Sequence, residues 1–462
     1  MSVRGFNIEN QPTFRLVTHG PRTTGIIFGV LCVLPAAGLG APSVALPALR
    51  TDLGVALGAS SWVLASYSLG ASVGMALFGQ FLGRAGPRLI LLLSSALLVA
   101  GAVLSGLAPG LGLIVAARLI LGLAAAGVLI CAYAAPATLP DTERPGALAL
   151  IGAAVGIGSA CGPLIGGLLV TALGWRAVLI SPAVSLLLVP LALALLPRPD
   201  RSRPSQSFDW LGATLVTILG SAVVVLLESR ATGLSGTIIA VLATAACGCV
   251  TGLFAIARRV SNPFIPPRLL RVPGFVAACF AGAASYAGYF ALLYAGPLML
   301  AAQGYHGIAI GLILLPAVIG SIAFSRISRA AGQRIGVPAT VAFLGLLTAA
   351  SVLAAGASAG IPAVVAIAIM TGISGFSGCQ VVLLAAISKA VQPEDQSVAN
   401  GLFNLAAFIG GALGPACVGA FAVRLPLDEA LTVTAALPLI ATLIAGLILF
   451  LRRRAALTTM RI

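Results

Sequence analysis

From residue 24 onward the chain is a succession of uncharged apolar stretches. Each is about the length that carries a helix across roughly 30 Å of hydrocarbon, and short loops between them hold almost all of the charge. Fourteen stretches stand out, at 24–49, 60–82, 89–107, 111–135, 147–171, 174–196, 209–228, 234–257, 273–300, 307–328, 337–357, 362–388, 399–424 and 428–451. The pattern predicts an all-α polytopic membrane protein with 14 transmembrane helices, since backbone polar groups in lipid must be satisfied within each segment. The first stretch follows a tail carrying Arg4, Arg15 and Arg22, but its apolar run exceeds that of a signal peptide and reads as a retained helix.

Composition supports this reading: 60% of the residues are apolar and only 8% are charged, far below the roughly 25% of a soluble domain. With both termini cytoplasmic, 21 of the 26 basic residues fall on the inner side, including Arg201, Arg268, Arg334 and Lys389. Only Arg50, Arg176, Arg230 and Arg424 fall outside, and Arg118 lies within a span. The net charge of +15 is thereby assigned to topology and anionic lipid headgroups, with no nucleic-acid partner.

The chain repeats. The fifth span carries G-x-x-x-G-P at Gly158, Gly162 and Pro163, and the thirteenth repeats it at Gly410, Gly414 and Pro415, an offset of 252. Gly86-x-Arg88 pairs with Gly332-x-Arg334 at 246, and Pro140 with Pro393 at 253. Two parallel six-helix repeats with two helices inserted between them follow, an N-terminal bundle (1–200), an inserted pair (201–262) and a C-terminal bundle (263–462), with a transport site between the bundles.

Other function classes lack their chemistry. No GxxxxGK[ST] accompanies the sole lysine, Lys389, so an ATP-driven pump is unsupported. His19 and His306 are isolated, and the eight cysteines all fall in apolar spans, which leaves no metal site, no disulfide framework and no nucleophile–base pair for an enzyme. No cofactor is implied, the driving force being a proton or substrate gradient.

Several motifs carry a resemblance. The run "WVLASYSLGASVGMALFGQFLGRAGPRLILL" (62–93) resembles the second span and following loop of the major facilitator superfamily. "VALPAL" (44–49), "ARLILGLAAAG" (117–127), "GSACGPLIGGLL" with "GWR" (174–176), "NPFIPPRLLRVPGF" (262–275), "GIAIGLILLP" (307–316) and "GALGPACVGAF" (411–421) resemble its fourteen-helix drug:proton antiporter branch. The resemblance implies two six-helix bundles plus two helices and secondary efflux of lipophilic small molecules such as antibiotics, drugs or natural products. It also implies proton antiport in the cell membrane, with a uniporter or proton-coupled uptake symporter as the alternative on the same fold. The polar fittings are thinned: Gly83 and Gly38 stand where the family usually has Asp, and Leu121 and Ala301 where it has Gln.

The site expectations follow. Gly158, Gly162, Pro163, Gly166 and Gly167 should form a bundle-interface seal and hinge, since small residues let helix backbones approach closely in lipid. Gly79, Arg84, Gly86 and Arg88 match the family's gating loop. Arg118, the one basic residue deep in a span, is expected to face the interior, and the resemblance gives it a part in proton transfer. Ser66, Tyr67, Tyr286, Tyr289, Phe290, Gln380 and Asn404 are the expected substrate-lining residues. Glu228 reads as an interfacial anchor rather than a proton carrier. With no buried carboxylate, the substrate should be neutral or anionic; the remaining partners are the lipid bilayer and protons, and the protein is expected to be a monomer.

Overall fold

The computed structural model describes residues 20–140, 142–196, 209–227, 235–257, 259–260, 263–358, 361–392 and 395–459. Among these residues every regular element is helical. The first half contains α1 (Pro21–Ala37), α2 (Ala41–Leu53), α3 (Trp62–Leu107), α4 (Leu111–Ala134), α5 (Arg144–Leu173), α6 (Trp175–Ile180) and α7 (Val189–Leu195), the last two joined by a 3-10 segment, Ser181–Leu188. Next come α8 (Trp210–Leu227) and α9 (Gly236–Ala257). The second half contains α10 (Phe275–Ala302), α11 (Ile308–Leu314), α12 (Pro316–Arg334), α13 (Val337–Ala357), α14 (Pro362–Ala390), α15 (Gln396–Phe421), α16 (Leu427–Thr434) and α17 (Ala436–Thr459).

Thirteen helical segments of the described chain are long and apolar enough to cross a membrane. The seventh expected span corresponds to α8, with an apolar stretch Trp210–Val223; Glu228 lies outside the described residues.

Prolines stand in the first turn of α1, α2, α5, α12, α13 and α14, where a missing N–H costs nothing. Within each half the helices pack on one another, α1 on α5 and α3 on α4, then α10 on α15 and α13 on α14. The halves meet along α3 and α15, whose seam α8 covers through Ala213 and Val216 against Ala76 and Leu405. On the opposite side α11 packs on the end of α5. Side chains on the outer surface, among them Ile319 and Phe343, remain apolar and exposed, as lipid contact requires.

The repeat is visible in the backbone, at a spacing that differs in one place from the sequence reading. Gly86 (φ 72°, ψ 161°) breaks α3, and Gly336 (φ 89°, ψ 154°) starts α13 with the same dihedrals. Gly86 therefore matches Gly336, not Gly332. Positive φ is a position that glycine alone occupies without strain, and it outweighs the G-x-R likeness.

Candidate functional site

The interior is organised by a break in the first membrane-crossing segment. Between α1 and α2, after Gly38, Leu39 and Gly40 leave the helical ladder: the Leu39 N–H turns back to the Ala36 carbonyl (3.3 Å), which frees the Pro35 carbonyl, and the Gly40 N–H to the Ala37 carbonyl (3.0 Å). The Gly38 carbonyl would receive its helical bond from residue 42, but Pro42 has no N–H.

Two side chains take over these carbonyls. The Tyr67 hydroxyl donates to Pro35 O (2.6 Å), and Arg118 Nη2 donates to Gly38 O (2.7 Å). Arg118 Nε donates to Val63 O (2.9 Å), and its guanidinium lies 4.1 Å from the centre of the Tyr67 ring, a cation–π contact. Gly70 and Gly122 make this possible, since a Cβ at either would collide with the backbone of the facing helix, α4 or α3.

Arg118 is fully buried, and its Nη1 has no hydrogen-bond partner. Among the described residues no carboxylate pairs with it. The described acids, Asp52, Glu143, Asp209, Asp395, Asp428 and Glu429, all stand at helix ends or connections. A Cβ at Gly38 would lie 2.8 Å from the Tyr67 hydroxyl, so the glycine is what admits the ring under the guanidinium.

The expected lining residues divide. Tyr286, Tyr289 and Phe290 of α10 come together with Phe376 of α14 and Phe408 of α15, two aromatics the sequence did not single out. Tyr289 stacks on Phe376 at 4.2 Å, and Tyr286 meets the edges or faces of Phe376 (4.6 Å) and Phe408 (5.5 Å). Gln380 stands one turn beyond Phe376 on the same helix, α14. Phe290 lies against Gly411, beside Ser68 of α3, so this wall borders the other half. The other three stand apart. Tyr67 belongs to the Arg118 cluster, Ser66 bonds back to Trp62 O (2.6 Å), and the Asn404 amide donates to Asn400 O (2.9 Å).

The glycine motif also divides. A Cβ at Gly158, Gly162 or Gly166 would strike the backbone of α1 and α2 at Val33, Ala37 and Ala41, helices of the same half. Gly167 faces the opposite half, where its Cβ would lie 2.7 Å from Gly307 O, and the Pro163 carbonyl sits beside Gly311. The expectation that the whole motif lines the boundary between the halves is corrected accordingly: the i, i+4, i+8 face binds the bundle, and the neighbouring position meets its counterpart. The second copy repeats this, with Gly410 and Gly414 on Ala283 and Ala287 of α10, and Gly419 facing Gly58.

Besides the α3–α15 seam, where Ser72 Oγ donates to Leu405 O (3.0 Å), the halves are bonded at the end poor in arginine. Ile308 N donates to Thr171 Oγ1 (3.2 Å). Tyr294 of α10 donates its hydroxyl to Leu57 O and lies 3.1 Å from Ser60 Oγ. At the other end Arg88 donates to Leu193 O (2.7 Å) and Leu196 O (3.1 Å), tying α3 to the end of α7. A Cβ at Gly79 would meet the Ile130 side chain at 4.0 Å; the side chain of Arg84, and both Glu228 and Arg230, lie outside what the structure describes.

Comparison with known proteins agrees with this architecture. A family model described as Major Facilitator Superfamily matches residues 26–329 and 278–459. A cephamycin export protein from Amycolatopsis lactamdurans is 32% identical over 402 residues, covering 80% of this chain and 79% of the relative. An uncharacterized MFS-type transporter from Mycobacterium tuberculosis is 31% identical over 307 residues, 64% of this chain, and the match spans only 43% of that relative's length. In fold, the chain is similar to a POT family transporter crystallised with a thioalcohol-conjugated peptide, with a TM-score of 0.68 at 15% identity over 94% of this chain and 96% of the other.

Proposed function

The chain belongs to the Major Facilitator Superfamily, and from that premise we propose that it is a secondary active efflux transporter of lipophilic small molecules, run by proton antiport through alternating access. The reading includes fourteen spans, cytoplasmic termini and the division into two bundles (1–200 and 263–462) around an inserted pair. One observation carries it: an aromatic wall of Tyr286, Tyr289, Phe290, Phe376 and Phe408 borders the opposite half with no described carboxylate among its members. Such a wall offers a lipophilic molecule area and π-faces with few polar constraints. Among the described residues the one fully buried charge is Arg118, which favours neutral or anionic substrates over cations.

The halves are joined at the end that the positive-inside rule assigns to the outside, so the structure corresponds in this reading to an inward-facing state. In proton coupling Arg118 acts through its carbonyl partners and the Tyr67 hydroxyl, and Gly79, Arg84, Gly86 and Arg88 form the gate at the inner end. The lack of a described acid beside Arg118 supports a second reading, a uniporter or uptake symporter on the same fold.

Inverted vesicles with an imposed proton gradient separate the two. Gradient-driven accumulation of a neutral or anionic antibiotic, abolished in Arg118→Ala and weak for a cationic dye, is the expected result. Strong gradient-driven transport of the dye, unaffected by Arg118→Ala, would overturn the proposal.

A further inference from the structure

We propose that the second half binds an anionic phospholipid, with an acyl chain in a cavity at the arginine-rich end of the bundle and the headgroup on Arg271, Arg334 and Lys389. The cavity has a volume of about 380 Å³, within the range of small-molecule sites. It lies inside one bundle, between the starts of α10 and α13 and the ends of α14 and α17, away from the aromatic wall. Phe275, Ala278, Val337, Ile387 and Ile448 line it, and every lining side chain is apolar or absent.

The internal repeat shows why the space is empty. In the first half Arg88, two residues after the positive-φ Gly86, fills the corresponding position and donates to Leu193 O and Leu196 O at the end of α7. Two residues after Gly336 the second half has Pro338, which lines the cavity and has no such side chain to send into it. Ile444, Ala445 and Ile448 of α17 border the gap.

Charge identifies the occupant. Arg271 immediately precedes the lining residue Val272, Arg334 lies between Gly332 and Gly336, and Lys389 between Ile387 and Ala390; all three are exposed. The sequence has no acid within two positions of any lining residue, and the nearby Asp395 is engaged by Arg268 (2.5 Å). α10 and α13 both begin here without a side-chain cap, which adds two positive dipole ends to the rim. A basic rim over an apolar pocket at the inner leaflet matches a phosphate headgroup above an acyl chain.

The full-length protein in bilayer discs of equal phosphatidylglycerol and phosphatidylcholine with identical chains provides the test, read by native mass spectrometry. Phosphatidylglycerol should be retained at least about fivefold over phosphatidylcholine, and the preference should fall below about twofold when Arg271, Arg334 and Lys389 are all changed to Gln. Ala386→Trp and, from another wall, Ala278→Phe should each lower retention of both lipids by filling the cavity. A thermal shift with phosphatidylglycerol, absent with inorganic phosphate alone, should accompany binding in detergent. Equal retention of the two lipids, an unchanged preference in the triple variant, or undiminished retention in a folded cavity-filling variant overturns the proposal. So does equal stabilisation by inorganic phosphate, which would make the site one for a free anion.

Discussion

Tyr294→Phe isolates the strength of the contact between the halves. Tyr294 is fully buried, and its hydroxyl crosses from α10 to Leu57 O in the loop before α3, with Ser60 Oγ 3.1 Å away. The phenylalanine keeps the ring and its packing, and the Leu57 carbonyl keeps the Ser60 hydroxyl at 2.7 Å as a donor, so no buried acceptor is orphaned. The loss is then the net value of one hydrogen bond, about 1 kcal/mol, which favours opening of this end roughly fivefold. Spin labels at Leu173 and Val423, exposed on the two halves at this end, report the change as a growing long-distance population in double electron–electron resonance. The eight native cysteines, all within helices, must first be replaced. The thermal midpoint should stay nearly constant. A long-distance population that changes less than about twofold, or that shrinks, refutes the assignment of Tyr294 as a latch.

Two further perturbations separate packing from gating. Gly162→Leu places its Cβ 2.9 Å from Ala37 O and should lower the thermal midpoint by the equivalent of about 1–3 kcal/mol. Gly167→Leu meets the Gly307 backbone of the other half and should abolish efflux with the midpoint largely retained; wild-type efflux in that variant would remove Gly167 from the gate. Gly86→Ala, at φ 72° with open space around it, should cost about 1–2 kcal/mol from backbone strain alone, whereas Gly152→Ala in α5, also in open space, should be neutral or slightly stabilising in the same melt.

The crossing segments were legible because lipid imposes one length and one composition on all of them. The same uniformity hid what happens inside. Gly38, Leu39 and Gly40 sit in an unbroken apolar run, and hydropathy carries no mark of the helix stopping there; Pro42, four residues beyond Gly38, was the available signal. The spacing of Gly158, Gly162 and Gly166 defined a face but not the helix it meets, because either half could have supplied it. Phe376 and Phe408 did not stand out, since an aromatic in an apolar background has no contrast, and Tyr294 was missed for the same reason. Arg118 was legible as buried because a guanidinium has few inexpensive places in a bilayer, yet its partners are carbonyls, which every residue possesses and no sequence pattern announces.

The interruption at Gly38–Gly40 also makes the two halves unequal as elastic bodies. A helix resists bending through its ladder of hydrogen bonds, and in the first half Leu39 and Gly40 drop out of that ladder into i→i−3 bonds, so compliance is concentrated at one point. The corresponding rod of the second half, α10, runs for 28 residues without a break despite Pro297, and it carries three of the aromatics of the wall. A force applied to the wall is therefore borne by a stiff beam and relieved in a soft joint, the one that Arg118 holds shut.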